Sequence, residues 1–368
     1  MSIFKISTIL LVFVCTLSVF SLNTTQACSV FKVTAKDGTM ISARTMEFGF
    51  DLKSSVVIVP RKSDFVCPAP DNSAGLKWES KYGYVAVDAF EDTRGAVEGI
   101  NEAGLAFSAL WYEKNTKWQD VGPSEYSRSL GHLMLGSWIL GNFSDVQQVK
   151  DGVKKIKVYG MSIPEMGNVP LHFAIYDAKG KAIVIECDDG VISIYDNPLG
   201  LMTNSPKFPW MMTNLRNYLG LFNEQPAMQD YASLKLNLTG HGAGMLGLPG
   251  DITPPSRFVR MTVMTHFADQ QDDAKGLLNL AQHIVYSLDI VKGMVVDRDA
   301  SGKVIASETT QWASFRDLTN KVFYFRTYDN FTLRKIDLAM IDFNADKIKT
   351  IPLTAGTETI VDVTDMAK

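Results

Sequence analysis

Short runs of alternating apolar and polar residues recur along the chain and predict β-strands in pairs. Residues 29–48, SVFKVTAKDGTMISARTMEF, give two such runs around a polar turn at Lys36–Gly38. Residues 171–197 give three runs separated by Asp- and Gly-rich turns, and residues 320–338 give a further hairpin. Strands that follow one another across short turns are typical of antiparallel sheets.

Helical patterns lie between these strand groups. Residues 127–141 are apolar on most faces and predict a buried helix. An amphipathic helix is predicted from Ser144, which we interpret as its N-cap, and another from Asp272. The order of strand pairs, helices and strand pairs favours an α+β fold over βαβ repetition. No linker or repeat interrupts it, and we therefore predict one domain, residues 28–368.

The first 27 residues differ from the rest of the chain. Lys5 is their only charge, residues 6–22 are apolar or small, and a polar stretch ends at Ala27. This layout is typical of a secretory signal peptide, and it predicts a periplasmic or secreted protein that is not membrane-bound after cleavage. An uncleaved membrane anchor is the alternative, although 17 apolar residues are at the short limit for a span.

Charge and histidine spacing exclude several function classes. The net charge is −4 and no cluster of five or more Lys and Arg is present, so we expect no nucleic-acid partner. The five histidines lack metal-ligand spacing and there is no CxxC motif. The glycine-rich loop at residues 240–258 lacks the Lys-Ser/Thr ending of a phosphate-binding loop. We therefore expect neither a metal nor an organic cofactor.

Cys28 lies where cleavage is predicted, and it has three possible interpretations. It is an ordinary strand residue, the lipid-bearing cysteine of a non-catalytic exported lipoprotein, or a nucleophile whose freed α-amine acts as the base. Thr25 and Gln26 fit an ordinary signal peptidase better than lipid attachment. Cys67 and Cys187 are either a disulfide or small buried residues, and we favour the latter.

Several blocks, in order, resemble the choloylglycine hydrolase family, which contains conjugated bile salt hydrolases and penicillin V acylases. They are Cys28, ARTMEF, GINEAGLAFSALW, NPLGLMTNSPKFPW, GLPGDITPPSRF and TQW…YFRTYDN. Members are amidases with an N-terminal cysteine nucleophile. The resemblance implies the αββα four-layer sandwich of N-terminal nucleophile hydrolases, in which two antiparallel sheets are stacked between helices.

The resemblance also implies a role for each matching residue. Cys28 is the nucleophile, Arg44 a cation that favours its thiolate, and Asn204 a donor to the oxyanion. Arg257 is a second cation near the site, and Asn214 a weaker candidate for support. Taken singly, each residue also has a structural explanation, such as a turn for Asn204 or a loop cap for Arg257.

Two positions depart from the family pattern. Glu47 stands where the family usually has Asp to hold the α-amine, and its carboxylate reaches one methylene further. Trp111 stands at the second oxyanion position, where we expect its backbone N–H to act while the ring lines the substrate pocket. The alternative for Glu47 is a surface ion pair with Arg44, which contributes little to stability.

The resemblance implies that the substrate is a linear amide with an apolar acyl part. Met46, Phe48, Phe50 and Trp111 predict an apolar or aromatic pocket, although Phe48 and Phe50 also suit a core. An exported chain with Trp111 favours penicillin V or N-acyl homoserine lactone acylase over a conjugated bile salt hydrolase. The segment between Asn204 and Arg257 carries subunit contacts in family tetramers, so a homo-oligomer, in particular a tetramer, is expected.

Overall fold

The computed structural model describes residues 27–163, 166–357 and 361–367. The predicted signal segment, apart from Ala27, lies outside these residues. Among the described residues, no helix is long and apolar enough to cross a membrane.

One antiparallel sheet begins at Cys28. The strands of this first sheet are β1 (Cys28–Thr34), β2 (Met40–Phe48), β18 (Val295–Arg298), β19 (Val304–Asp317), β20 (Val322–Thr327) and β21 (Asn330–Asp337). They pair in the order β1-β2-β19-β20-β21, and β18 also pairs with β19. The nine residues of β2 are all buried, because β1 and β19 flank this strand and both of its faces are covered.

A second antiparallel sheet has the order β15-β14-β13-β8-β7-β6-β3-β22. Its strands are β3 (Ser55–Val59), β6 (Tyr84–Val87), β7 (Glu98–Asn101), β8 (Ala106–Trp111), β13 (Leu171–Tyr176), β14 (Ala182–Asp188), β15 (Val191–Asp196) and β22 (Lys349–Pro352). Successive residues of its strands face opposite sides. Val85 and Val87 pack in one cluster with the first sheet, whereas Tyr84 and Ala86 pack in another with helical residues.

Short two-stranded pairs complete the strand inventory of the described chain. They are β4 (Asp64–Pro68) with β5 (Ala74–Glu79), β9 (Ser129–Gly131) with β10 (Lys157–Tyr159), β11 (Ser162–Ile163) with β12 (Gly167–Asn168), and β16 (Asp230–Tyr231) with β17 (Leu234–Lys235).

Helices cover the outer faces of the two sheets. Helices α4 and α5 pack on the first sheet and against each other, and α1 packs on β7 and β8 of the second. The helices are α1 (Leu135–Asn142), α2 (Val146–Val153), α3 (Phe208–Asn214), α4 (Pro254–Phe267) and α5 (Ala274–Tyr286). The predicted α+β sandwich of four layers, αββα, is confirmed.

The predicted hairpins in residues 29–48, 171–197 and 320–338 are confirmed, but two local predictions were wrong. The helix expected over 127–141 begins only at Leu135, because Ser129–Gly131 pairs as a strand with Lys157–Tyr159. Helix α2 is capped by Asp145 rather than Ser144, since the Asp145 carboxylate accepts a hydrogen bond from the Gln148 N–H.

Candidate active site

Cys28, the first residue of β1, is buried beside two side chains of β2. Its Sγ lies 3.7 Å from Nη2 of Arg44 and 3.8 Å from Sδ of Met46. The antiparallel register pairs Cys28 with Met46, which brings this part of β2 against the sulfur. Burial raises the pKa of the Cys28 thiol, and the charge of Arg44 opposes that rise. The buried thiol therefore needs both a nearby cation and a base to react as thiolate.

Asn204 contacts the nucleophile through its side-chain oxygen. Its Oδ1 accepts hydrogen bonds from the Cys28 backbone N–H (2.7 Å) and from Nη2 of Arg257 (2.8 Å). Its Nδ2 donates to the Trp111 carbonyl oxygen at 2.9 Å. A primary amide carries two N–H groups, so one hydrogen remains for the predicted oxyanion. Asn204 thus combines a contact to the Cys28 nitrogen with a possible donor role.

Arg257 is fully buried in the first turn of α4. Its Nη1 donates to the Cys28 carbonyl oxygen at 2.6 Å, and its Nε donates to the Ile252 carbonyl oxygen at 2.9 Å. Burial lowers the pKa of the Arg257 guanidinium, and nearby Glu47 opposes that shift. Arg257 therefore ties the start of β1 to the Asn204 side chain, so its surroundings are more specific than those of a loop cap.

The sequence predicts that Glu47 holds the α-amine of Cys28. In this structure the Glu47 carboxylate has other partners. It accepts hydrogen bonds from the hydroxyls of Thr310 (2.7 Å) and Thr45 (3.0 Å). In this structure the nitrogen belongs to the peptide bond with Ala27, so its single hydrogen is given to Asn204. Burial raises the pKa of Glu47 to about 8, against the opposing charge of Arg257.

The surface ion pair considered for Arg44 and Glu47 is wrong. Both side chains are buried, and Arg44 pairs instead with Glu98 of the second sheet at 3.3 Å. Nη1 of Arg44 also donates to the Val97 carbonyl oxygen at 2.7 Å. Sequence reasoning missed Glu98, which stands next to the GINEAGL block but carries no spacing signal that links it to Arg44.

Glu308 of β19 is a further acidic residue that the sequence did not reveal. Its carboxylate accepts a hydrogen bond from the Ala27 N–H, directly before the nucleophile. Burial raises the pKa of Glu308 to about 7. The only signal was its position two residues before the TQW block.

Two cavities meet at Trp111. The larger, of about 630 Å³, is bounded by Cys28, Arg44 and an apolar wall. That wall includes Met46, Phe48, Phe50, Phe90, Trp111, Leu133, Met161, Ile163, Met166, Val169 and Leu171. The smaller, of about 300 Å³, includes Asn204, Glu113, Lys114, Thr253 and Glu308. Cys28 lines the larger cavity, and Ala27 and Asn204 line the smaller one, so both cavities lie next to the start of β1.

The predicted pocket residues are located at the larger cavity. Phe48 contacts Phe50 and Trp111 edge to face, with ring centroids 4.8 Å and 6.1 Å apart. Phe48 is buried in the core as well, so both interpretations of this residue hold. Asn214 lies at the end of α3 and accepts a hydrogen bond from Asn217, and it lines neither of these two cavities.

Cys67 and Cys187 are both buried and free. Sγ of Cys67 accepts the Gly131 N–H at 3.1 Å, and Sγ of Cys187 donates to the Lys117 carbonyl oxygen at 3.2 Å. They are therefore small buried residues rather than a disulfide.

The stacked sheets and the buried cysteine at the start of β1 define a hydrolase of the N-terminal nucleophile class. The chain belongs to the choloylglycine hydrolase family of linear amide C–N hydrolases, whose model matches residues 28–351.

Its relatives include two kinds of amidase. A bile salt hydrolase/transferase from Clostridium perfringens is 30% identical over 330 residues, which cover 88% of this chain and 96% of that protein. A penicillin V acylase from Pectobacterium atrosepticum is 28% identical over 180 residues, which cover 47% of each. Among solved structures, a mutant conjugated bile acid hydrolase from Clostridium perfringens has a TM-score of 0.79 at 26% identity, covering 91% of this chain and 99% of that chain.

Proposed function

We propose that this protein hydrolyses amides with an apolar, oxygen-bearing acyl part, and that penicillin V and N-acyl homoserine lactones are its substrates. The apolar cavity beside Cys28 carries this proposal, because its volume suits a drug-sized acyl group and its aromatic wall suits a ring or an alkyl chain. The smaller cavity, which Trp111 also lines and which includes Glu113, Lys114 and Asn204, is suited to the amine part of the substrate.

The indole of Trp111 adds a specificity element. Its Nε1 is buried and has no hydrogen-bond partner among the described residues. A buried donor without a partner costs free energy, which an acceptor on the substrate would recover. A phenoxy oxygen or a 3-oxo group provides such an acceptor.

In the proposed mechanism, removal of Ala27 frees the Cys28 amine, whose unperturbed pKa of ~7.7–8.0 suits a base near neutral pH. The amine accepts the thiol proton, and the thiolate attacks the substrate carbonyl while Arg44 favours the anion. The free N–H of Asn204 and the Trp111 backbone N–H stabilise the oxyanion. The α-ammonium then protonates the leaving amine, and water hydrolyses the thioester with the same amine as base.

The test is a panel of penicillin V, acyl homoserine lactones with and without a 3-oxo group, and glycine- and taurine-conjugated bile acids. We expect kcat/KM to be highest for the first two classes and absent in the Cys28→Ala control. Trp111→Phe keeps an aromatic ring at this position but removes the indole N–H donor. It should lower kcat/KM for oxygen-bearing acyl groups several-fold and leave plain alkyl substrates unchanged. Equal losses for both would refute the proposed donor role.

Conjugated bile salt hydrolysis is the second candidate. It is favoured by the Clostridium perfringens relative, which this chain matches over 88% of its length, whereas the penicillin V acylase matches over 47%. The same panel decides, because highest kcat/KM on a bile acid conjugate would replace the first proposal. The family assignment argues against the non-catalytic lipoprotein, and intact mass would reveal a diacylated Cys28.

We also propose that the protein is exported, cleaved before Cys28 and assembled as a homo-oligomer, in particular a tetramer. Support for assembly comes from the segment between α3 and α4, where several large apolar side chains are exposed. They are Leu219, Met228, Tyr231, Leu234, Leu236 and Leu246. Light scattering of the purified protein tests this proposal, and a monomer at micromolar concentration would contradict it.

A further inference from the structure

A buried charge cluster joins the two sheets next to the nucleophile. Glu98 of β7 lies between Arg44 of β2 and Arg316 of β19, and all three side chains are completely buried. Oε2 of Glu98 is 3.3 Å from Nη1 of each arginine. It also accepts a hydrogen bond of 3.3 Å from the Ser108 hydroxyl. One carboxylate is thus paired with two guanidinium groups, and the whole cluster is shielded from solvent.

Arg44 connects this cluster to Cys28. One of its terminal nitrogens, Nη1, faces Glu98 and the Val97 carbonyl oxygen, while Nη2 faces the Cys28 sulfur at 3.7 Å. A planar guanidinium that is fixed at one nitrogen has little freedom at the other. The contacts of Nη1 with Glu98 and with the Val97 carbonyl oxygen therefore together hold the second nitrogen relative to the sulfur.

Arg316 is held separately from the catalytic cysteine. Its Nη1 donates to the Ser108 hydroxyl at 2.6 Å and to the Phe107 carbonyl oxygen at 3.1 Å. The charge of Arg316 therefore affects Cys28 only through space. Glu98 affects Cys28 through its charge and also through its contact with Arg44. With Arg44 and Arg316 positive and Glu98 negative, the cluster has a net charge of +1.

We propose that Glu98 is a positioning residue for the amidase reaction, which orients Arg44 against Cys28 and, with Arg316, sets the positive charge that the sulfur experiences. The inference rests on the nucleophilic role proposed for Cys28. The other titratable groups around the cluster and the sulfur are Tyr176 of β13, Glu47 of β2 and Arg257 of α4. None of them is altered in the experiment.

The experiment changes the net charge of the cluster in both directions and then restores it. Glu98→Gln gives a net charge of +2, Arg316→Gln gives 0, and the double variant returns to +1. The rate at which iodoacetamide alkylates Cys28 is measured against pH in the mature protein, and the Cys28 peptide is followed by mass spectrometry. This peptide separates Cys28 from the buried thiols of Cys67 and Cys187.

We expect the alkylation midpoint to fall by the order of one pH unit in Glu98→Gln, to rise similarly in Arg316→Gln, and to return near wild type in the double variant. The double variant should nevertheless have at least tenfold lower kcat/KM, because Arg44 has lost its contact with Glu98. Identical midpoints in the folded variants would overturn the charge role. Wild-type kcat/KM in the double variant would overturn positioning.

Folding and function are separated by design. If a single variant does not fold, the double variant, whose net charge is that of wild type, still tests positioning and the other single variant tests the charge. Alkylation needs no substrate, so failure of the substrate panel would refute the proposed function, while the alkylation midpoints would still decide whether Glu98 and Arg316 set the charge at the sulfur.

Discussion

At the scale of single residues, the candidate site is a set of side chains from separate parts of the chain around one sulfur. Cys28, Arg44, Asn204 and Arg257 could be proposed from the sequence, because family motifs surround each of them. Glu98 and Arg316 could not, since their ion pair arises from the stacking of two sheets. Glu308 could not, since its contact with Ala27 depends on strands of the first sheet that are far apart in the chain. The two threonine hydroxyls that bind the Glu47 carboxylate could not be foreseen either, and its role towards a free α-amine stays a prediction.

Replacement of Cys28 tests the nucleophile directly. Cys28→Ala should abolish turnover, and Cys28→Ser should lose most of it, because a hydroxyl is a much weaker nucleophile beside the same base. The measurement is single-turnover hydrolysis of the best panel substrate. Far-UV circular dichroism serves as the folding control. Activity retained in a folded Cys28→Ala protein would place the nucleophile elsewhere.

His132 should make stability sensitive to acid. Burial lowers the pKa of His132 to about 3, from an ordinary value of 6.5. Between these values the unfolded chain binds a proton that the folded protein does not, so this group lowers stability as pH falls from about 6.5 towards 3. The variant that tests this is His132→Asn, because the Oδ1 of asparagine can replace the Nδ1 of His132 as acceptor of the Met161 N–H.

The free energy of unfolding in urea, measured at pH 7 and pH 4.5, checks this prediction. His132→Asn should lose less stability than wild type between the two values. Equal losses would show that the His132 imidazole does not contribute to acid sensitivity.

At the scale of elements, strands joined by short turns were predictable, because their alternation and turn residues are local. The strand β9 was not, since its partner β10 lies more than twenty residues further along and periodicity within residues 127–141 carries no trace of that pairing. The starts of α2 and α5 were predictable to within one residue, and side-chain geometry was needed to identify each cap, whereas α1 begins well after its predicted start.

Helix α5 offers a matched pair of substitutions. The Asp273 carboxylate accepts the Gly276 N–H at 2.9 Å and caps the helix, so Asp273→Ala should cost about 0.5–2 kcal/mol. The side chain of the neighbouring Asp272 forms an exposed ion pair with Lys36, so Asp272→Ala should change stability by less than about 1 kcal/mol. Urea unfolding of both variants decides, and equal costs would contradict the cap.

At the scale of the whole molecule, the sandwich was predictable only through the family resemblance. Composition and alternation indicate an α+β protein with antiparallel strands, but they do not specify which sheet lies on which. The order of strands requires contacts between residues far apart, such as those of β2 with β19. The strand order and the stacking of the sheets could therefore be predicted only by comparing the sequence with a known family.

The mature chain should begin at Cys28. The proposed base is the α-amine of this residue, so any remaining upstream residue would leave a peptide nitrogen that cannot accept the thiol proton. N-terminal sequencing of active protein isolated from the exported fraction checks this. A fully active enzyme that begins at Ala27 or earlier would exclude the α-amine as base.

Strand β1 lies at the edge of the first sheet, yet its outer side is not free. The N–H of Val30 donates to the Met202 carbonyl oxygen and the N–H of Met202 to the Val30 carbonyl oxygen, both at 2.9 Å. These reciprocal bonds lie two residues from Cys28 in one segment and two residues from Asn204 in the other. Local opening that exposes one of these amides to solvent must therefore expose both. In hydrogen–deuterium exchange, Val30 and Met202 should share one protection factor, so thermal fluctuations would separate the nucleophile from its amide partner rarely and in a single step.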